Sequence, residues 1–390
     1  MSRLKVAYLR RIFDNVEPGF LVRVFAASLH AMSCETDKFK VNTRPRLAAS
    51  RLERVNHVCA IGFLTVLLLA CNNPKSNAMT PTPSQAQSPS SASQDSSEIG
   101  LSQAQIEVAM GSALKIDPQR CWTYLNQFVA IGSRPLGSPG HKHAEDYIRT
   151  HLKGDQVEDD VFAEKTPVGS FPIRNIVAKY PGKKQGIVVF ASHYETNIWL
   201  PKAFVGANDG GSSTALLLEF ANLLRARAKN GSMNGYSVWL VFTDGEEAMQ
   251  RDWSSDSLYG STHLAEKWQQ DGTAKRVKAL LLADMLGDSD LNIEQDAGSS
   301  PRLQAIAYTA ATHYGYQSHF FVRQSAIQDD HLPFAKVGIP VMDFIDLDYG
   351  YNNSFHHTVE DTIDKLSPRS LEISGNSMLG TLALLNAGAK

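Results

Sequence analysis

The sequence predicts an α/β fold, a three-layer sandwich in which a central, mostly parallel mixed sheet is flanked by helices. Two observations point there. First, β-like runs at 175–180, 187–191, 237–243, 277–283 and 340–345 alternate with amphipathic helical stretches near 212–228, 259–269, 300–313 and 368–387. Second, several of the runs are apolar without alternation: Val188-Val189-Phe190, Val238-Trp239-Leu240-Val241-Phe242 and Ala279-Leu280-Leu281-Leu282. Strands buried on both faces read that way, because helices cover both faces of a parallel sheet. Three more helices are expected ahead of the first run, near 103–114, 118–130 and 141–152.

Composition narrows the class. The chain has 390 residues, 43% apolar and 20% charged, enough to bury a large core, so a wholly disordered protein is excluded. Four cysteines cannot make a disulfide scaffold, and only Cys121 falls in the expected domain, so no disulfide forms within it. Apolar runs of membrane-spanning length do not recur, which excludes a polytopic membrane protein. A net charge of −2 argues against nucleic acid as a partner. That average hides an asymmetry: residues 1–57 carry +6 and the remainder −8.

The basic part reads as an address. Residues 58–70, VCAIGFLTVLLLA, form an uncharged apolar run just after Arg51 and Arg54. Thirteen residues are short for a membrane span but suit a secretory signal. The run ends Leu68-Leu69-Ala70-Cys71, which resembles the bacterial lipoprotein box. By that resemblance 51–71 is a lipoprotein signal peptide, Cys71 is lipidated, and the protein is exported and lipid-anchored to the cell envelope. Residues 72–97 are rich in Ser, Pro, Thr and Gln and hold no Val, Leu, Ile or aromatic residue. They cannot offset their own ordering entropy and are expected to be a tether spanning roughly 30 Å. Residues 1–50 do not fit a signal and are set aside as an N-terminal extension. One domain, 98–390, remains.

In a parallel sheet the site lies beyond the carboxyl ends of the strands, and polar residues collect at those ends. Ser192-His193-Tyr194-Glu195 follows one run, Asp244-Gly245-Glu246-Glu247 another, and Asp284 a third. Gly206-Ala207-Asn208-Asp209-Gly210-Gly211 leads into a helix, and Phe355-His356-His357-Thr358 follows the last strand. Singly, each has a structural explanation. Asp209 suits a turn, Glu246 and Glu247 suit a first helical turn, and Asp284 suits a cap. Together they bring His and carboxylates to one sheet edge, a donor set that suits Zn²⁺. With no Cys among them, a catalytic site is expected rather than a closed structural one. In the Glu246–Glu247 pair, one carboxylate can be a ligand while its neighbour handles protons.

At these residues the chain resembles the zinc aminopeptidase-like superfamily, from about Ser133 to the C-terminus. His193, Asp209, Glu246-Glu247, Asp284 and His357 follow that superfamily's metal-site plan in order. Within it the sequence looks most like the glutaminyl-peptide cyclotransferases (glutaminyl cyclases). Four segments carry the likeness: Phe242-Thr-Asp-Gly-Glu-Glu-Ala248; Trp253 with Asp256-Ser-Leu-Tyr-Gly-Ser261; Ile327-Gln-Asp-Asp-His-Leu-Pro-Phe334; and His357-Thr-Val-Glu-Asp361. The resemblance implies that Asp209, Glu247 and His357 bind one Zn²⁺ and that Glu246 is the proton shuttle. Asp284 and Asp329 would hydrogen-bond around it, Trp253 would wall the substrate pocket with Gln328 beside it, and His193 would be in the site without being a primary ligand. The implied reaction is cyclisation of an N-terminal glutamine of a peptide or protein to pyroglutamate, with release of ammonia.

The sequence departs from the animal enzymes of that family in three places. His356 stands where Trp is usual, Ser192 and Thr214 stand near a missing cysteine pair, and Asp343 stands where those enzymes have His. The rival reading is a two-zinc aminopeptidase, in which His193 and Asp284 complete a second metal site and Glu246 activates water. The expected partners are a peptide with N-terminal Gln and the membrane that holds the lipid; a monomer and no nucleic acid are expected.

Overall fold

The computed structural model describes residues 99–250, 253 and 255–389. The extension 1–50, the signal 51–71 with Cys71, and the tether 72–97 lie outside the described residues. Every described residue falls in one compact unit, Ser91–Lys390.

Three helices come first, and each starts on a residue suited to the task. Helix α1 (Gln103–Gly111) opens with a capping box between Ser102 and Gln105. Helix α2 (Pro118–Val129) has Asp117 as its cap, accepting from the Gln119 and Arg120 amides, with Pro118 in the first turn. Helix α3 (Pro139–His151) repeats the device with Ser138 and Pro139.

The six-stranded sheet follows: β1 (Gln156–Thr166), β2 (Gly169–Tyr180), β3 (Lys184–His193), β4 (Tyr236–Thr243), β5 (Val277–Asp284) and β8 (Val341–Ile345), in the order β1-β2-β4-β3-β5-β8. The pairs β3–β4, β3–β5 and β5–β8 are parallel, while β1–β2 and β2–β4 are antiparallel. The sheet is therefore mixed and mostly parallel in direction, as expected. The crossovers are α4 (Ser213–Lys229), α5 (Tyr259–Gln270), α6 (Pro301–His313) and α7 (His331–Lys336), and α8 (Pro368–Ala387) closes the chain. A small parallel pair, β6 (Ile293–Asp296) and β7 (Phe320–Ser325), stands apart.

Four of these elements escape the sequence reading: β1, β6, β7 and the six-residue helix α7. Strand β1 (QVEDDVFAEKT) carries five charged residues and alternates weakly, because it is an edge with one face toward water. Charges on an edge strand discourage pairing with another chain. Strands β6 and β7 are short, and Glu294, Asp296 and Arg323 interrupt their apolar pattern.

Two cores explain the uninterrupted apolar strands. Val188, Phe190, Leu240, Phe242 and Leu281 pack on the side of α1–α4, α6 and α8. Val189, Ala191, Val241, Leu280 and Leu282 pack on α5 and α7 through Leu264, Trp268 and Phe334. Successive residues point to opposite faces, and both faces are dry.

Phe190 is fully buried in the larger core, edge-to-face with Phe220 at 5.0 Å between ring centroids. Phe190→Ala is expected to lower unfolding free energy by about 3–5 kcal/mol in urea titration, with far-UV circular dichroism unchanged. A loss under 1 kcal/mol would mean the core does not close there.

Candidate active site

Three strands deliver the site's polar residues to one edge. His193 ends β3, Thr243 ends β4 just ahead of the Glu246–Glu247 turn, and Asp284 ends β5. Asp209 is in a kinked turn, 207–212, that runs into α4. Its ψ of 103° breaks an otherwise helical path, and Gly210 follows at φ +73°. A Cβ at Gly210 would lie 2.9 Å from the His193 ring and 3.0 Å from the Glu195 carbonyl, so the position requires glycine. His357 comes from the loop after β8 and adopts φ +53°, unusual for a side chain of its size.

The fold brings Asp209, Glu247 and His357 together. The His357 Nε2 atom is 3.3 Å from Asp209 Oδ2 and 3.3 Å from Glu247 Oε2. Both carboxylates are buried, and Asp209 Oδ2 and Glu247 Oε1 have no hydrogen bond among the described residues. Burial opposes a charged His357 ring, but Glu247 and Asp209 outweigh it and push its pKa up to about 11. Burial likewise opposes ionised Asp209, but His193 and His357 hold its carboxyl well below the usual range. Two carboxylates and an imidazole, with carboxylate oxygens lacking donors and a strongly negative potential at one point, are the donor set and the field that fit a divalent zinc ion. His356 also brings a ring nitrogen within 4.8 Å of the Asp209 and His357 donors. His357 is the better ligand, because it faces both carboxylates while the His356 Nδ1 is engaged by Asn353 at 3.1 Å.

A second cluster lies against the first. The His193 Nε2 atom is 3.2 Å from Asp209 Oδ1 and 3.2 Å from Asp284 Oδ1, while its Nδ1 is 3.8 Å from Glu246 Oε2. Burial drives the Glu246 carboxyl well above its ordinary pKa; His193 opposes that, and Asp329 and Glu247 add to it. Asp284 and Asp329 do not hydrogen-bond Glu246, as the family resemblance implies they would. Asp284 pairs with His193 instead, and Asp329 accepts from the Asp330 amide. Burial holds the Asp329 carboxyl well above its ordinary pKa as well, so the two acids oppose each other's ionisation rather than exchanging a hydrogen bond.

These groups open onto a cavity of about 260 Å³. Asp209, Glu246, Asp284 and Asp329 lie at its polar end, and Met285, Ile327, Ile345 and Leu347 supply apolar wall. Trp253 stacks on the His357 ring, 6.2 Å between centroids and 17° from parallel. The Gln328 side chain donates to the Trp253 carbonyl at 2.5 Å and joins the rim, as does His356. A larger groove of about 830 Å³ between α1 and α8 brings together no comparable set of donors, so chemistry rather than size locates the site.

Two further residues, to which the sequence assigns no role, hold the site in place. Buried Glu195 accepts from the Glu246 amide at 2.6 Å and the Glu247 amide at 3.1 Å, and Asn197 donates to Glu247 Oε2 at 2.8 Å. Both stand just after a strand end, which was the available signal. Asp343, unexplained by sequence, is 3.5 Å from His331 Nδ1, whose Nε2 faces Asp296 at 3.2 Å. Burial would raise the Asp296 carboxyl, but His331 and Ser299 hold it down to about 2. Asp343, buried beside Asp329 and Asp284, is pushed well up.

The comparisons with known proteins agree with this geometry. Residues 175–382 match the model of peptidase family M28. A mouse protein named glutaminyl-peptide cyclotransferase-like is 32% identical over 296 residues, covering 69% of this chain and 75% of that one. The chain belongs to peptidase family M28, in its glutaminyl-cyclase branch. Among solved structures, this family member superposes on a glutaminyl cyclase from an Acidobacteriales bacterium with a TM-score of 0.68 and 48% identity, over 70% of this chain and 96% of that one. The glutaminyl cyclase of Porphyromonas gingivalis gives a TM-score of 0.60 at 26% identity, over 68% and 98% of the two chains. These relatives do not favour the two-zinc aminopeptidase.

The turn bearing Glu246 is anchored from below by buried His141, whose Nε2 is 2.8 Å from Asp244 Oδ1. Burial opposes the charged ring, yet Asp244 outweighs it and raises the His141 pKa. The unfolded value is about 6.5, so the stability from this pair is fully present below about pH 6.5. It is lost as pH rises through the higher folded value. His141→Gln is therefore expected to destabilise most at pH 6 and least at pH 9 in urea titrations. An equal deficit at both pH values would show that the pair carries no charge.

Proposed function

We propose that this chain is a glutaminyl-peptide cyclotransferase, an acyltransferase that works with one zinc ion and converts the N-terminal glutamine of peptides and proteins to pyroglutamate. The observation that carries the reading is the juxtaposition of Asp209, Glu247 and His357 with Glu246 at the polar end of a 260 Å³ cavity walled by Trp253. It occurs in a chain 48% identical to a solved glutaminyl cyclase.

Asp209, Glu247 and His357 would hold the zinc, and three protein ligands leave a position open. When bound, the ion supplies Lewis-acid polarisation of the substrate's side-chain amide carbonyl. The chain's own residues do the rest. The apolar wall of Met285, Ile327, Ile345 and Leu347 takes the methylenes of the glutamine, and Trp253 closes over them. Glu246 accepts a proton from the α-ammonium, which frees the amine to attack the side-chain amide carbon. The new C–N bond closes a five-membered ring. The old C–N bond breaks as Glu246 returns the proton to the departing nitrogen; ammonia leaves, and the second proton shed by the ring nitrogen converts it to ammonium. Nucleophile and electrophile belong to one residue, so the site's largest contribution is to hold that residue folded back on itself. Burial raises the proton affinity of Glu246 and the neighbouring Glu247 carboxylate adds to it, which suits a group that must take a proton from an ammonium.

The same reading extends to the cell envelope. The basic flank, the apolar run and Cys71 support export and a lipid anchor, with 72–97 as the spacer to a catalytic domain 98–390.

Incubating the purified protein with a Gln-initiated peptide should remove one ammonia by mass spectrometry, with activity suppressed by a chelator and restored by zinc. Release of free amino acids from aminoacyl amides, with two zinc ions bound, would overturn the proposal. Glu246→Gln should leave zinc content near one and lower kcat about 10²–10⁴-fold; a rate within tenfold of the parent would remove Glu246 from the shuttle. Trp253→Ala should raise KM for the peptide about tenfold or more, with a smaller change in kcat. An unchanged KM would take Trp253 out of the substrate wall.

A further inference from the structure

The loop that carries Asp209 is gripped from two sides by buried groups of opposite charge. On one side, Arg134 is fully buried, and among the described residues its side chain donates only to main-chain carbonyls. Its Nε reaches Tyr194 O at 2.9 Å, its Nη1 reaches Val205 O at 2.5 Å and Gly132 O at 3.2 Å, and its Nη2 reaches Gly206 O at 3.0 Å and Asp209 O at 3.5 Å. The guanidinium rests over Phe128, 4.6 Å from the ring centroid. On the other side, buried Asp361 accepts from the Asn208 amide at 2.8 Å and the Asp209 amide at 3.3 Å, and the Tyr349 hydroxyl holds Oδ1 at 2.9 Å. The cation thus takes the loop's carbonyls and the anion its amides. Between them Gly206 sits at φ +53°; a Cβ there would lie 2.6 Å from Asp209 O and 3.0 Å from Arg134 Nη2. The grip leaves no room for a side chain.

We infer that Arg134 and Asp361 act as one positioning device that aims Asp209 by its main chain and thereby sets the protein's affinity for zinc. Neither residue touches the ion or the substrate. Asp209 is the kinked residue of its turn, and its carboxylate is divided between His193 and His357. A small rotation of the 208–209 peptide would carry that carboxylate away from His357. A lysine offers three donors on a flexible stem and cannot reproduce the planar fork that spans four carbonyl-bearing segments. An asparagine at 361 replaces one acceptor oxygen by a donor facing a backbone N–H. Arg134 holds the carbonyls of the 206–207 and 209–210 peptides, and Asp361 the amides of the 207–208 and 208–209 peptides between them. The two groups thus act on consecutive peptides of one short turn, so losing either lets the loop relax, and losing the second then adds little.

The inference rests on the zinc reading above, and the test separates the two. Zinc affinity is measured by chelator competition on the full chain for Arg134→Lys, Asp361→Asn and the double variant, with urea stability of the metal-free protein alongside. Each single variant should weaken zinc binding about 10–100-fold. The double should weaken it far less than the product of the singles. Tyr349→Phe removes only the hydroxyl behind Asp361; it should weaken zinc several-fold on the native background and not on Asp361→Asn, so the idea stays testable if an Arg134 variant misfolds. Parental zinc affinity in both singles, or a double equal to the product of the singles, would overturn the device. Asp209→Asn is the control for the underlying reading. If it binds zinc like the parent, the metal assignment fails and this inference with it.

Discussion

Everything at this site answers one electrostatic problem: carboxylates have been taken out of water and crowded at the end of a sheet. Asp209, Glu246, Glu247, Asp284, Asp329, Asp330 and Asp343 are all buried. An isolated charge in such a place is expensive, and a group without a partner neutralises instead. The protein meets the demand in several ways. Imidazoles are interleaved with the acids, as His193 and His331 show. Backbone amides are turned toward Glu195 and Asp361. Some acids keep their protons, as burial does for Asp329 and Asp343. What remains is a focus of negative potential at Asp209 and Glu247, where a doubly charged ion is the natural complement.

The sheet makes that crowding possible. Parallel strands end together, so β3, β4 and β5 bring residues widely separated in sequence to one line. The buried rows Phe190, Leu240 and Leu281 fix the register, and each strand's next residues then fall at the edge whatever their chemistry. The apolar core thus pre-positions the polar site, and loops with left-handed residues such as Gly210 and Gly245 supply the final turns.

How much of this was legible beforehand follows from what repeats along the chain. Strands β3, β4, β5 and β8 and the long helices announce themselves by apolar periodicity, and the strand ends then identify His193, Glu246, Glu247 and Asp284. Strand β1 hides because half of it faces water and five of its eleven residues are charged. The roles of Glu195 and Asn197 hide for another reason. They act on backbone amides and on Glu247 from about fifty residues away, a relation no local pattern encodes. Arg134 gives no signal in the sequence, since a guanidinium spent on carbonyls leaves no complementary acid to reveal it. The exchange at 343 was visible, but its meaning depends on His331 and Asp296, which meet only in three dimensions.

His357 shows how such a site is maintained. Its backbone is bent into a conformation that glycine or asparagine adopts far more comfortably, yet only an imidazole places a nitrogen between Asp209 and Glu247. Robustness and usefulness pull this position in opposite directions. A lineage released from the need for turnover, and kept only for durability, would drift here first, exchanging the ring for a residue at ease in the bend while the rest of the architecture stood unchanged.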